Sequence, residues 1–420
     1  MQDSKTIRRL DRSLGKWLCK LISPWVRWRS RQNPSSTIKR VLLIELFEMG
    51  SAVMLIPSID YLIRTFPDLE IHVLTTSMCD SVWRELDPIS ESKLHVIQAR
   101  SAPEFIASTV KTLWSLKNEK FDLIIDYSLF MRAPALLSAF FSASHRAGFY
   151  KYAFEGLERG NFYDRMCSFN QNSHISKNFL ALTMTAAGPE SDTPNLKHSI
   201  SEEDIRLTPL PRFSNQKNHL QNPTIVICPD VGPTLSVRNY PLRHWIRALQ
   251  VLRSQFPKHE FIFLGTAENQ RRVSVKSEGA SLLSMGKNLM GKTDFPELLA
   301  LIQGADLLIC NDHGPAHFAA LTGTKTLALF STDSPFMYGP LGDAVIAYKF
   351  FQCSPCISAL NHKSTVCSNN LCLQSLSPET VANLAATILN GHARYRTINN
   401  EISYLPSLKK EQSAPLKNVI

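Results

Sequence analysis

Continuous apolar runs alternate along the chain with stretches whose apolar residues recur every three or four positions. VLLIEL (41–46), IHVLTT (71–76) and FDLIIDYS (121–128) have the pattern of strands buried on both faces of a parallel sheet. Between and after them, SAVMLIPSIDYLIRTF (51–66) and RAPALLSAFFSA (132–143) have helical spacing. HISKNFLALTMTAA (174–187) is a further helix, stopped by Gly188-Pro189. A polar, proline-dotted stretch at 189–221 follows and suits a linker.

The pattern then restarts. TIVICP (224–229), HEFIFLG (259–265), DLLICND (306–312) and KTLALF (325–330) read as strands. PLRHWIRALQVLRSQF (241–256), FPELLALIQGA (295–305) and AHFAALTG (316–323) read as the helices among them. Such alternation predicts the α/β class: two Rossmann-like, doubly wound domains, 37–188 and 222–392, facing across a cleft at the carboxyl ends of their strands. At 420 residues the chain exceeds what one core usually supports, in keeping with two domains. The remainder, 393–420, is a polar tail.

Charge changes the picture at one end. The net charge of +10 suggests nucleic acid, but residues 1–36 hold nine basic residues against two acidic ones, so +7 of it sits there. The body is nearly neutral, and no nucleic-acid partner is expected. Within this head Leu10, Leu14, Trp17, Leu18, Leu21, Ile22, Trp25 and Trp28 form one helical stripe with lysine and arginine opposite. A basic amphipathic helix tipped with tryptophan suits an anionic membrane surface. A helix packed on the protein's own body is the other reading. Pro24 is expected to divide or shorten the helix, Cys19 offers one thiol for lipidation, and Asn33-Pro-Ser-Ser reads as a short linker. No apolar stretch is long enough for a transmembrane helix and no signal-peptide pattern is seen, so a cytoplasmic location is expected.

Polar residues gather where the strands of the second half end. NDHGPAHFAALTG (311–323) follows a strand and opens a helix, with Gly314 allowing a tight turn and Pro315 suiting the first helical turn. Backbone N–H groups at such a helix start attract a phosphate or diphosphate, with Asp312 and His317 adding polar contacts. A capped helix with no ligand is the plainer reading. Arg238, in DVGPTLSVRNYP, is a candidate diphosphate clamp, and Glu268, in TAEN, a candidate acceptor of ribose hydrogen bonds. In the first half, IELFEMGS runs a strand into Glu45 and Glu48. Those carboxylates either cap the next helix, for which Ser51 also qualifies, or do chemistry.

The order of these motifs resembles glycosyltransferase family 9, the ADP-heptose:lipopolysaccharide heptosyltransferases and their relatives. The similarity runs from about residue 39 to 390 and rests on the strand, glycine turn and Pro57 near the start, FDLIIDYSLFMRAPALLSA, HRAGF, RNYP, NLMGKTDFPELLALIQGADLLICNDHGPAHFAALTGTKTLALF, and CSPC. It implies the GT-B architecture, an acceptor on the first domain, a nucleotide-diphosphate sugar on the second, and inverting, metal-independent transfer to a lipopolysaccharide-type or other envelope glycolipid. Asp312, His313, Gly314 and His317 match the family's aspartate-threonine/serine-glycine-proline-x-histidine donor motif, with His313 in place of the small hydroxyl residue. Arg238 stands where the family usually has lysine, and Glu268 near its ribose-binding glutamate. The family's turn normally reads glycine-aspartate, that aspartate serving as general base, whereas here Ser51 takes its place. A serine without a partner does not accept a proton at neutral pH. Glu48, three residues earlier, is the first candidate for the missing base, then Glu45, with Asp126 and His174 behind them. Two alternatives stay open: a transferase using a non-heptose UDP- or GDP-sugar, and a catalytically silent assembly factor that binds nucleotide sugar or glycolipid.

Cys353 and Cys356 form a C-x2-C pair, with Cys367, Cys372 and His362 nearby. A structural metal, bracing disulfides and free thiols are all compatible with that spacing, and no catalytic metal or other cofactor is expected.

Overall fold

The computed structural model describes residues 11, 14–30, 37–86, 89–129, 131–150, 159–188, 191–195, 198–214, 220–233, 235–358 and 365–392. The expected linker at 33–36, His362 and the tail 393–420 lie outside these residues. The chain divides into two compact units. One comprises Met1–Leu210, Phe336–Leu341 and Ile357–Thr365; the other comprises Pro211–Pro335, Gly342–Cys356 and Val366–Ile420.

The first unit holds a sheet of seven parallel strands: β1 (Arg40–Ile44), β2 (Glu70–Thr76), β3 (Leu94–Ile97), β4 (Lys120–Asp126), β5 (Ser142–Phe149), β6 (Arg165–Cys167) and β7 (Ser191–Asn195). Their order is β3-β2-β1-β4-β5-β6-β7, so the winding reverses between β1 and β4, where Ile44 pairs with Asp126. Val41 to Ile44 are fully buried, as both-face coverage requires. The stretch 189–221, read as a linker, instead supplies β7, which extends this sheet beyond β6. The helix expected over 51–66 is two helices, Met49–Met54 and Ile56–Thr65, meeting at Leu55 just ahead of Pro57. Pro57 lacks the N–H that would continue the ladder of the first helix, and its ring crowds the carbonyl four residues back, whereas it is tolerated in the first turn of the second.

The second unit holds β8 (Thr224–Cys228), β9 (Glu260–Phe263), β10 (Lys287–Asn288), β11 (Leu307–Asn311), β12 (Thr326–Leu329) and β13 (Ala344–Ala347). This sheet is parallel, in the order β10-β9-β8-β11-β12-β13, and reverses between β8 and β11. One core joins Ile225, Ile227, Phe261, Phe263, Leu307 and Ile309 from the strands to Trp245, Leu249 and Leu252 from the helix Leu242–Gln255. A strand-order reversal is where open α/β sheets place their ligands, and both reversals coincide with motifs from the sequence.

The basic head forms the helix Gly15–Ser30, which runs through Pro24 rather than ending there. Packing overrides the proline: Cys19 and Val26, on either side of it, are fully buried against Ala135, Ala139, Phe162, Tyr163 and Met166. Between them the Ser23 hydroxyl donates to the Cys19 carbonyl at 2.6 Å and accepts the Asn161 N–H at 2.8 Å. The single expected stripe is therefore two faces, with Gly15, Cys19, Ser23 and Val26 on the body and Leu14, Trp17, Leu18, Leu21, Trp25 and Trp28 exposed. Cys19, buried in that packing, is no lipidation site in this fold.

Candidate functional site

In the first unit the backbone leaves β1 at Ile44 and turns through Glu45 to Glu48. Glu45 is buried, its N–H donating to the Leu74 carbonyl at 3.1 Å. Glu48 occupies the N-cap position of the helix Met49–Met54 with extended backbone, but its side chain makes no capping bond. Ser51 is not the cap either; it lies inside the helix, and its hydroxyl donates to Glu48 Oε2 at 3.1 Å. The serine in the position of the family's base thus touches the glutamate proposed to cover for it. Glu45 and Glu48 share their surroundings: burial pushes the Cys79 thiol well up, and the charges of both glutamates add to that rise.

The remaining candidates in this unit have structural work. Asp126, at the end of β4, is fully buried, ion-paired with Arg159 Nη2, and accepts from the Tyr163 hydroxyl at 2.5 Å and the Ser128 N–H at 2.9 Å. His174 caps the helix Ile175–Ala187. Its Nδ1 accepts the Ser176 N–H at 3.2 Å, and Nε2 meets the Gly339 carbonyl at 2.9 Å, so Nε2 carries the proton. Burial lowers the His174 pKa to about 4. Both ring nitrogens are engaged, which leaves neither residue placed as a base.

In the second unit β11 delivers Asn311 and Asp312 to the start of the helix Gly314–Thr322. Gly314 fits closely there, since a Cβ would come within 2.9 Å of the Phe318 ring, which would have to shift. Pro315 opens the helix, and Gly323 closes it in the left-handed conformation at φ 72°. Asp312 is buried and donates its N–H to the Leu329 carbonyl at 3.0 Å. Arg238, brought back by the turn Ser236–Arg238, donates to the Asp312 carbonyl at 3.1 Å and pairs with Asp312 Oδ2 at 3.3 Å and Asp333 Oδ2 at 3.1 Å. The expected clamp and the expected donor motif are thus joined, and two carboxylates fix the guanidinium beside the helix start.

His313 is the N-cap residue, and its Nδ1 lies 2.8 Å from the Asn311 carbonyl. A carbonyl only accepts, so Nδ1 carries the proton and Nε2 is left with a lone pair. Burial, ahead of the neighbouring Arg238 charge, lowers its pKa to about 4. At neutral pH His313 therefore offers an acceptor where the family's hydroxyl residue offers a donor. His317, one turn into the helix, is buried. Glu268 is half-buried in the first turn of the helix Ala267–Ser274, which Thr266 and Asn269 close with a capping box.

Three further residues organise this end of the sheet. Asp230, after β8, accepts from the Gly232 N–H at 2.8 Å, Asn269 Nδ2 at 2.7 Å, Asn239 Nδ2 at 3.1 Å and Arg272 Nε at 3.2 Å. Asn311 spans two loops, donating to the Pro229 carbonyl at 2.9 Å and accepting the Tyr240 N–H at 3.0 Å. Asp333 is Arg238's second carboxylate. Each is a polar residue at or just past a strand end, the one sequence signal that marks them. A cavity of about 530 Å³ is lined by Asp230, Asn239, Tyr240, Arg272, Lys276 and Asn370, without Arg238 or Asp312.

Cys353 is exposed, Cys356 and Cys367 are half-buried, and Cys372 is buried; none is in a disulfide. Burial raises the Cys372 thiol pKa, with Cys356 and Cys367 close enough to add to it. Among the described residues no group of three or more His, Cys, Asp or Glu is gathered to hold a metal ion.

Comparison with known proteins gives this arrangement a context. Residues 110–366 match the family model for glycosyltransferase family 9 (heptosyltransferase). The lipopolysaccharide core heptosyltransferase OpsX of Haemophilus influenzae is 24% identical over 233 residues, a match spanning 55% of this chain and 63% of that protein's own length. Among solved structures, a family 9 glycosyl transferase from Veillonella parvula superposes with a TM-score of 0.64 at 16% identity, covering 86% of this chain and 100% of the other. Escherichia coli heptosyltransferase WaaC with ADP superposes at 0.59 and 15% identity, covering 83% and 99%.

Proposed function

Because this chain belongs to glycosyltransferase family 9, the heptosyltransferases, we propose that it transfers a sugar, heptose in the first instance, from a nucleotide-diphosphate donor to a lipopolysaccharide-type core glycolipid, with inversion at the anomeric carbon. The observation that carries this reading is the joining of Arg238 and Asp312 at the start of the helix Gly314–Thr322, where the second sheet reverses its order. The positive end of that helix and the guanidinium suit the two negative charges of a diphosphate, in the ground state and as leaving group. ADP is the first choice of nucleotide because the E. coli relative is seen with it.

On the acceptor side Glu48 is the base. The acceptor hydroxyl passes its proton to the Glu48 carboxylate as its oxygen bonds the anomeric carbon, and the bond from that carbon to the diphosphate oxygen breaks with its electron pair going to the nucleotide. Ser51, donating to Glu48 Oε2, steadies the carboxylate in its turn. No metal is needed for these steps. A membrane-borne acceptor places the enzyme on the inner face of the inner membrane.

The decisive experiment screens ADP-, UDP- and GDP-linked sugars for thermal stabilisation and for transfer to a lipopolysaccharide-core acceptor. ADP-heptose at 100 times its Kd should add about 2.7 kcal/mol of stability and be consumed. Stabilisation by a UDP- or GDP-sugar alone would establish a non-heptose transferase. Binding without turnover would favour the silent assembly factor, the second reading that Ser51 in the place of the family's aspartate supports.

A further inference from the structure

The helix Gly15–Ser30 is built for two partners, of which the protein itself supplies one. Its inward face is specified by small residues and by a cap. Gly15 lies against Arg132, where a Cβ would come within 3.0 Å of Cδ, and Cys19 sits over Gly160. Just ahead of the helix, Asp11 accepts the N–H groups of Arg132 and Ala133, both at 2.8 Å, and so caps the helix Ala133–Phe140, which has no side-chain cap of its own. The helix orientation is thereby fixed at two points, ahead of its start by Asp11 and midway along it by Ser23 on Asn161.

The opposite face is apolar yet exposed. Trp17, Leu21 and Trp28 are 66%, 75% and 60% exposed, with Leu14, Leu18 and Trp25 completing the stripe. At about 100° per residue these six positions span about a quarter to a third of the helix circumference, with the exposed Lys20 flanking the Trp17 edge and the exposed Lys16 nearer the body face. Lys20 Nζ lies 5.9 Å from the Trp17 ring. A contiguous aromatic stripe of this kind is seldom left to water, and its surroundings identify the occupant: the segment 1–36 carries +7 of the chain's net charge. Tryptophans at the level of the headgroups, leucines below them and Lys20 at the flank beside anionic phosphates suit such a surface.

We propose that the outward face of the helix Gly15–Ser30 lies in the interface of an anionic lipid bilayer and holds the first unit on it in a fixed orientation. The claim rests on the membrane-borne acceptor only for its biological use; the surface itself is argued from the helix. Deleting residues 1–36 would not test it, because that would strip Cys19 and Val26 from the core and take the Asp11 cap away. Substitution of the outward face alone, in the full chain, leaves both in place.

Trp17→Ser, Leu21→Ser and Trp28→Ser combined should weaken binding to phosphatidylglycerol-rich vesicles by at least 100-fold in flotation, with the melting temperature unchanged. Lys20→Glu should weaken it about tenfold. Val275→Ser, an exposed apolar change in the second unit, should bind as the parent does. Parental binding to uncharged phosphatidylcholine vesicles as strong as to anionic ones, or undiminished binding by the triple variant, would overturn the proposal. So would a parent that binds no vesicles but dimerises through this face, becoming monomeric in the triple variant. Donor stabilisation is read separately in the same preparations, so failure here and failure of the transferase reading are distinguishable.

Discussion

Glu48 and Ser51 carry the question of catalysis. The carboxylate at the start of the helix Met49–Met54 is not used as a side-chain cap, and the serine hydroxyl three residues on points its proton at it. If that carboxylate takes the acceptor's proton, Glu48→Gln keeps the shape and the Ser51 contact while removing the base. Turnover should fall by about 10²- to 10⁴-fold with donor affinity unchanged, read from single-turnover rates beside donor titrations. Adding Ser51→Asp to Glu48→Gln should recover part of the rate, because a carboxylate returns to the same turn. A parental rate in Glu48→Gln would move the base elsewhere. Ser51→Asp alone sets two carboxylates against each other, so one is held protonated and the pH profile of kcat should shift upward. His313 marks the other residue-level departure. With Nδ1–H given to Asn311, it meets a ligand as an acceptor, so it suits a hydroxyl of the sugar or ribose better than a phosphate oxygen.

At the scale of elements, the N-terminal segment is a structural member of the first unit as well as a surface. Asp11→Ala removes the only side-chain cap found on the helix Ala133–Phe140 among the described residues and should cost about 0.5–2 kcal/mol, seen as a lower denaturant midpoint. Asp11→Asn, still a competent cap, should recover most of it. Packing on the body was one of the two readings of this segment, but the Asp11 cap and the face that packs were not legible, because Asp11 and Ala133 are far apart in the chain and the inward face uses glycine, cysteine and serine. Hydrophobic periodicity sees the tryptophans and leucines, which point the other way. The strands divide similarly. β1, β4, β8 and β11 were legible as apolar runs, whereas β5, SASHRAGF, was hidden by polar residues that the fold nonetheless buries. Its Arg146 is fully buried, satisfied by the Phe141 carbonyl at 2.7 Å and the Ser138 carbonyl at 3.1 Å. Such a strand depends on partners distant from any local pattern. At the candidate site Arg238, Asp312 and Gly314 were legible from loop position and motif. Asp333 and Asn311 were not, since their meaning lies in bonds to other loops.

For the whole molecule, the histidines set the response to acid. His174 and His313 are held near pKa 4 by burial, and His95 likewise, with the His72 charge adding to it. Each keeps an unfolded value near 6.5, so between pH 6.5 and 4 the unfolded chain takes up protons that the folded chain refuses. Stability is therefore intact above about pH 6.5 and falls as the pH drops toward 4. Asp11 and Asp60, raised by burial, work in the opposite sense, since their folded forms hold protons more tightly. A difference between variants isolates one group from that balance. His174 alone should account for about 2 kcal/mol between pH 7 and pH 5. His174→Asn preserves an N-cap for the helix Ile175–Ala187 but cannot titrate, and it gives up the bond to the Gly339 carbonyl. At pH 7 the variant should be less stable by about 1 kcal/mol. At pH 5 the order should reverse, because the parent alone bears the cost of a buried histidine that must stay neutral. Amide hydrogen exchange in the helix Ile175–Ala187 reads this locally, which matters in a chain of two units whose global unfolding need not be two-state. Equal pH slopes in parent and variant would show that His174 does not govern the acid response.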